Sequence, residues 1–288
     1  MNKLLFFFIF IVIQGCAQKP WYGDLAYLGK FPNSLSEVSG IVTYNEKLAW
    51  VIEDNGNKDN IYAINLKAGL VKKLKVKDAE NHDWEDLTTD KKGNLYIGDF
   101  GNNNNERKNL TIYKLPNPEV EKGEKISSEK IMFHYPEQKK FPPQKSNLIY
   151  DSEAFFHWEN HLYIFTKDRS RPYQGKTLVY QIPDKKGNYE AKLVGTLKLC
   201  DDQDHCSVTG ADISEDGKTI ALLGYGYLYL GKNFNIDAVS ETKFDTIYLK
   251  HETQVESICF LNDTTLLIAD EQSKTKGRNL YQYDIKLD

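Results

Sequence analysis

Five positions in this 288-residue chain carry oxygen donors at near-regular intervals. Ser39, Glu85, Glu153, Thr209 and Glu256 follow one another at 46, 68, 56 and 47 residues, each at the start of a strand-like run. Three carboxylates and two hydroxyls are hard ligands. Gathered away from water, the carboxylates repel one another and hold their protons more tightly unless a cation neutralises them. Oxygen donors with room for waters suit calcium better than magnesium, which demands a tight octahedron. The five are therefore a candidate calcium site, the alternative being a lining of hydrogen-bonded or salt-bridged side chains. Asp54, Asp99, Arg169 and Arg171 stand in polar segments and are candidates for catalysis. Carboxylates there could assist a metal in activating water, and guanidinium groups could offset negative charge on a substrate. The sequence has no His-x-x-His spacing for zinc, no Gly-x-Ser-x-Gly elbow and no glycine-rich phosphate loop. Glycosidase chemistry needs two carboxylates at a defined separation; Glu153 and Glu256 can be offered, but nothing singles them out.

The elements that must position these residues repeat with them. Each donor opens a pair of apolar runs separated by a turn: 38–42 with 48–52, 84–88 with 94–98, 152–156 with 161–165, 208–212 with 219–223, and 255–259 with 265–269. Turns such as Asp90-Lys91-Lys92-Gly93 and Glu215-Asp216-Gly217 suit hairpins. A third run follows at 60–64, 110–114, 178–182, 227–230 and 280–284, and a fourth at 71–76, 126–134, 192–199 and 244–250. The fifth unit runs out of chain, and residues 25–30 can supply its missing strand. Counted from Glu256 to the C-terminus and onward from Asp24 to Ser39, the closing unit is again 47 residues. Units of about 40–50 residues with four strands each are propeller blades, and closure by an N-terminal strand removes the free edge. The pattern predicts an all-β protein, a β-propeller of five four-stranded blades, with six blades as the alternative. The long second unit contains Pro116-Asn117-Pro118 and Phe141-Pro142-Pro143 and reads as an extended loop. First strands line the channel of such a ring, which would bring the five donors to one axis. Loops 53–57, 99–103, 167–171, 225–227 and 270–274 would surround the same mouth and form a concave ligand face.

Composition narrows the partners. With 37 basic and 41 acidic residues the net charge is -4, so no broad cationic face for nucleic acid is implied. Hydrophobic residues make up 40% of the chain and charged residues 27%, enough for a sizeable core in a water-facing protein. Residues 1–15 hold one lysine and a run of about ten apolar residues, too short to span a bilayer as a helix, and read as a signal peptide. Gln14-Gly15-Cys16 resembles the lipobox of bacterial lipoproteins, which implies lipidation at Cys16, a tether over 16–23 and a propeller over 24–288. Ordinary secretion is the alternative. The resemblance places the protein in the bacterial cell envelope, anchored to a lipid bilayer through acylated Cys16 and facing the periplasm or the exterior. Cys200 and Cys206 bracket a short polar loop and are expected to form a disulfide after export, a metal loop built from its aspartates being the alternative. Cys259 lies in an apolar run and reads as a buried thiol.

The donor ring with its flanking residues resembles the calcium-dependent soluble nucleotidases, or apyrases, of animals and blood-feeding arthropods. The likeness is carried by Glu37-Val38-Ser39 with Tyr44-Asn45-Glu46-Lys47-Leu48, by Trp84-Glu85 with Leu95-Tyr96-Ile97-Gly98, and by Ser152-Glu153-Ala154 with Lys167-Asp168-Arg169-Ser170-Arg171. It covers nearly the whole mature chain and implies a five-bladed ring with calcium on the channel axis. It also implies a basic pair for polyphosphate, a role for Arg169 or Arg171. Two functions are thus expected: a calcium-braced module binding a small-molecule, glycan or protein ligand at its loop face, or a calcium-dependent hydrolase of phosphoanhydrides or esters.

Overall fold

Runs of β-branched and aromatic residues between Asn-, Asp- and Gly-rich turns form a nearly all-β molecule in the computed structural model, which describes residues 22–251 and 253–286. The predicted signal peptide and Cys16 lie outside the described residues. Strand β1 (Ala26–Lys30) comes first in sequence. Blade 1 contains β2 (Val38–Thr43), β3 (Leu48–Glu53), β4 (Asn60–Asn65) and β5 (Leu70–Val76). Blade 2 contains β6 (Trp84–Thr89), β7 (Leu95–Asp99) and β8 (Thr111–Leu115); β9 (Lys125–Ile126) precedes its fourth strand, β10 (Glu129–His134). Blade 3 contains β11 (Asp151–Trp158), β12 (His161–Lys167) and β13 (Thr177–Pro183); β14 (Gly187–Glu190) precedes its fourth strand, β15 (Lys192–Leu197). Blade 4 contains β16 (Gly210–Ile213), β17 (Thr219–Gly224), β18 (Tyr227–Lys232) and β19 (Asp245–Tyr248). Blade 5 contains β20 (Val255–Asn262), β21 (Thr265–Asp270) and β22 (Asn279–Asp284).

Blade 5 is completed by β1, which pairs antiparallel with β22, so the expected N-terminal closure and the count of five blades are both observed. Asp24 N–H donates to Leu249 O at 2.9 Å just before this strand. Gly23 makes the approach possible: its φ is +66°, and a Cβ there would lie 2.0 Å from Leu249 O.

Each gap between neighbouring blades is filled by one apolar cluster. Trp50, Ile52, Leu87 and Ile97 pack between blades 1 and 2; Phe100, Ile112, Phe155 and Ile164 between blades 2 and 3. Phe156, Phe165, Leu222 and Tyr229 fill the next gap, Leu223, Leu228, Ile258 and Ile268 the one after, and Ile41, Val51, Leu267 and Leu280 join blade 5 to blade 1. Each blade is apolar on both faces, which explains runs without strict alternation.

The expected fourth strand at 126–134 is two strands. Its first part, β9, leaves blade 2 and pairs parallel with β5 on the outer edge of blade 1; only β10 completes blade 2. Likewise β14 leaves blade 3 and pairs parallel with β10. Both straps are short, and the pattern of pairs within a hairpin carries no trace of them. The segment after β10 forms no sixth blade.

Candidate functional site

Four of the five donor positions are surplus residues in otherwise regular inner-strand pairing, and the fifth stands just ahead of its strand. The ladders skip Ser39 between Val38 and Gly40, Glu85 between Trp84 and Asp86, Glu153 between Ser152 and Ala154, and Glu256 between Val255 and Ser257. Thr209 precedes the first pair of its blade, and its N–H donates to Leu223 O at 2.8 Å. Such bulges re-aim the side chain of the extra residue.

The five then separate by role. Ser39 Oγ donates to Trp84 O and Thr209 Oγ1 donates to Val255 O, each at 2.8 Å, stitching one blade to the next. Glu153 is neutralised: its Oε2 lies 2.9 Å from Lys167 Nζ and its Oε1 2.7 Å from Arg169, whose Nε also binds Asp151 at 2.7 Å. Glu256 accepts from Tyr225 OH at 2.7 Å. The Lys167 ammonium lies over the Tyr225 ring, 5.3 Å from its centre, and draws on Glu256 as well as Glu153.

Glu85 has no such partner. Only 8% exposed, it receives no hydrogen bond and no ion pair from the described residues. One oxygen of Glu85 lies within 4.8 Å of an oxygen from Asp54 and one from Asp83. Gly101 folds over this group; a Cβ on it would lie 2.0 Å from Glu85 Oε1 and 2.5 Å from Asp83 Oδ2. Asn81 fixes the group from below, its side-chain amide donating to Glu53 O and Asp54 O at 2.9 and 3.0 Å while accepting from Trp84 N–H.

Burial and mutual repulsion act in the same direction here. Burial pushes Asp54 up to about 7 and Asp83 up to about 6, with neighbouring carboxylates adding to both. Burial, then repulsion from Glu153, raises Glu85 well above the carboxylate range and raises Glu256 also. At the opposite mouth, burial pushes Asp212 up to about 7 although it accepts from Phe260 N–H and Ile213 N–H. An acid whose folded-state pKa is raised binds protons more tightly folded than unfolded, so the metal-free protein is favoured at low pH and loses that advantage as pH climbs. The expected result in chelator is a melting temperature that falls steadily from about pH 5 to about pH 8. Calorimetry across that range checks it; a rising melting temperature would contradict the repulsion.

The other expected site residues have distinct fates. Asp99 is buried and tied, with Arg107 at 2.8 Å, His82 Nδ1 at 3.2 Å and the Asp83 N–H at 3.1 Å. Arg171 is exposed and, with Arg169 and Lys145, lines a cavity of about 480 Å³ also bounded by Asn103, Pro142 and Gln203. Cys200 and Cys206 form a disulfide with Cα atoms 5.6 Å apart, closing the short helix Gln203–Cys206 that carries Gln203; Cys259 is a buried free thiol. Asp83 and Lys167 were not among the sequence candidates. Their signal was positional: Asp83 lies two residues before Glu85, and Lys167 opens a loop that contained two arginines.

The opposite mouth is a cavity of about 410 Å³ lined by the turns between first and second strands. Its acidic group is already satisfied. Tyr96 OH donates to Asp90 at 2.9 Å, His157 Nε2 lies 3.1 Å from Asp184, and Lys114 Nζ lies 3.7 Å from the same carboxylate.

Neither a protein-family model nor a curated protein matches the chain. Among solved structures, it is similar to the PQQ-bound form of an aldose sugar dehydrogenase from Streptomyces coelicolor, at 9% identity and a TM-score of 0.54, covering 93% of this chain and 99% of that one. The WD40 propeller domain of Doa1 matches at 12% identity and a TM-score of 0.39, covering 91% of this chain and 73% of that one. At these identities the first similarity speaks for the fold alone.

Proposed function

We propose that this protein is an envelope-facing propeller, held on a lipid bilayer through acylated Cys16. In this reading it binds calcium among the carboxylates of one channel mouth and presents the loops of that mouth to a small-molecule, glycan or protein ligand. The observation that carries the reading is the buried, unpartnered Glu85 beside Asp54 and Asp83. Buried carboxylates without a countercharge are costly, and oxygen-only donors match calcium. Fold likeness adds nothing about ligand or chemistry.

A second reading, a calcium-dependent hydrolase of phosphoanhydrides or esters, is favoured by the cavity where Arg169, Arg171 and Lys145 meet. In that reading calcium held by the mouth carboxylates would polarise a phosphoryl oxygen, and the guanidinium groups lining the cavity would hold the remaining charge.

Both readings are tested by thermal unfolding of the purified chain with calcium and with chelator, alongside phosphate release from nucleoside diphosphates. Calcium at about 100 times its Kd is expected to raise the melting temperature by about 5 °C or more. An unchanged melting temperature sinks the calcium reading. Phosphate release that needs calcium and falls about tenfold or more in Arg171→Ala would select the hydrolase; stabilisation without turnover selects the binding module.

A further inference from the structure

We infer that the divalent cation sits off the ring axis, held by Asp54, Asp83 and Glu85 between blades 1 and 2, while the Lys167 ammonium takes the axial place. This inference rests on the reading that the mouth binds calcium.

Of the three carboxylates aligned on the axis, only Glu85 lacks a partner among the described residues: Glu153 holds Lys167 and Arg169, and Glu256 holds Tyr225. The Ser39 and Thr209 hydroxyls give their protons to backbone carbonyls of the following blade and keep only neutral lone pairs to offer a cation. Lys167 is 5% exposed, and its ammonium brings to Glu153 and Glu256 the positive charge that a symmetric ring would take from a metal.

Off the axis the balance is reversed. Asp83 and Glu85 are each 8% exposed, and no donor among the described residues reaches either carboxylate. Among the described residues, the Asp54 carboxylate accepts only from the N–H of its neighbour Asn55. Arg107 is the cation that acts on Asp83, but its guanidinium is spent 2.8 Å from Asp99 and 2.8 Å from Gly101 O. Two oxygens bound to one calcium at about 2.4 Å are at most about 4.8 Å apart, and the three carboxylates each place one oxygen within 4.8 Å of the others. The group is also fixed in advance. Asn81 joins the Asp54 loop to the strand that begins at Trp84, and the missing Cβ of Gly101 leaves room above Glu85 and Asp83. Calcium takes six to eight oxygens, so three carboxylates leave positions for water or for oxygens of a ligand in the mouth.

Calcium titration by calorimetry on the purified chain tests this, with Asp83→Asn, Glu85→Gln and Glu256→Gln as variants. Loss of a second-sphere partner already costs about 10- to 100-fold in metal affinity, so Asp83→Asn and Glu85→Gln should each weaken binding by at least about 100-fold. Glu256→Gln should stay within about threefold of the parent. In chelator, Asp83→Asn and Glu85→Gln should melt at or above the parent temperature, since each removes a repelling charge; this separates a lost ligand from a lost fold. If Glu256→Gln abolishes binding and Asp83→Asn does not, the ion is axial, and the off-axis site is overturned while the calcium reading stands. If the parent chain binds no calcium, the reading and the inference fall together.

Discussion

Lys167→Met should destabilise the folded ring by about 3–5 kcal/mol, the cost of breaking a buried ion pair from one side. The lysine and Glu153 are both nearly inaccessible, their charged atoms 2.9 Å apart, and Glu256 adds to the field on the ammonium. Methionine fits the space but leaves the Glu153 and Glu256 carboxylates facing one another with only Arg169 and Tyr225 to compensate. The double variant Lys167→Met with Glu153→Gln should recover more than half of the loss, because removing both members of a buried pair is nearly neutral. Denaturant unfolding of parent, single and double variants gives the numbers. A single-variant effect below about 1 kcal/mol would mean that the pair is solvated, and the axial role given to Lys167 would go with it.

Truncation through Lys30 should be nearly as damaging. It removes β1 and, with it, the ladder to β22, the buried side chain of Leu25 and the Asp24 contact to Leu249. Tyr281 and Tyr283 on β22 lose their cover, and an open strand edge appears in blade 5. A fall in melting temperature of more than about 10 °C is expected, with association of truncated chains in sedimentation runs. A truncated chain that melts like the parent as a monomer would show that closure is ornamental. Because β1 must wait for a partner at the far end of the chain, its pairing is among the most non-local contacts in the molecule, and refolding should be slow for that reason.

The blades were legible because their signal is local and repeated. Ser39, Glu85, Glu153, Thr209 and Glu256 could be aligned by spacing; four of them are the bulged positions of inner strands, and Thr209 immediately precedes its strand. The function of each bulge was not legible, since residue type alone says nothing of which neighbour claims the side chain. Ser39 and Thr209 read as oxygen donors for a metal, and nothing in their residue type foretold that their hydroxyl protons would tie each blade to a backbone carbonyl of the next. Asp83 escaped because no repeat marks it; it approaches Glu85 and Asp54 only when the loop from blade 1 folds across blade 2. Asp99 looked free in a polar loop but is enclosed by Arg107 and His82. The straps β9 and β14 were missed for a different reason: short parallel pairs between distant segments leave no alternation to read.

Those straps also decide how the rim exchanges with solvent. The outer edge of blade 1 is occupied by chain from blade 2, and the outer edge of blade 2 by chain from blade 3. Blade 3 is covered by the short helix Ile236–Glu241 of blade 4, through a bond from Thr196 N–H to Ser240 Oγ. Strand β19 of blade 4 is the outermost strand of its sheet. Deuterium should therefore enter the rim unevenly, late at β5 and β10 and early at β19. The rim is laced along blades 1 to 3 and open at β19, so the side of the ring bearing Asp83 and Arg169 should exchange more slowly than the side bearing Tyr225.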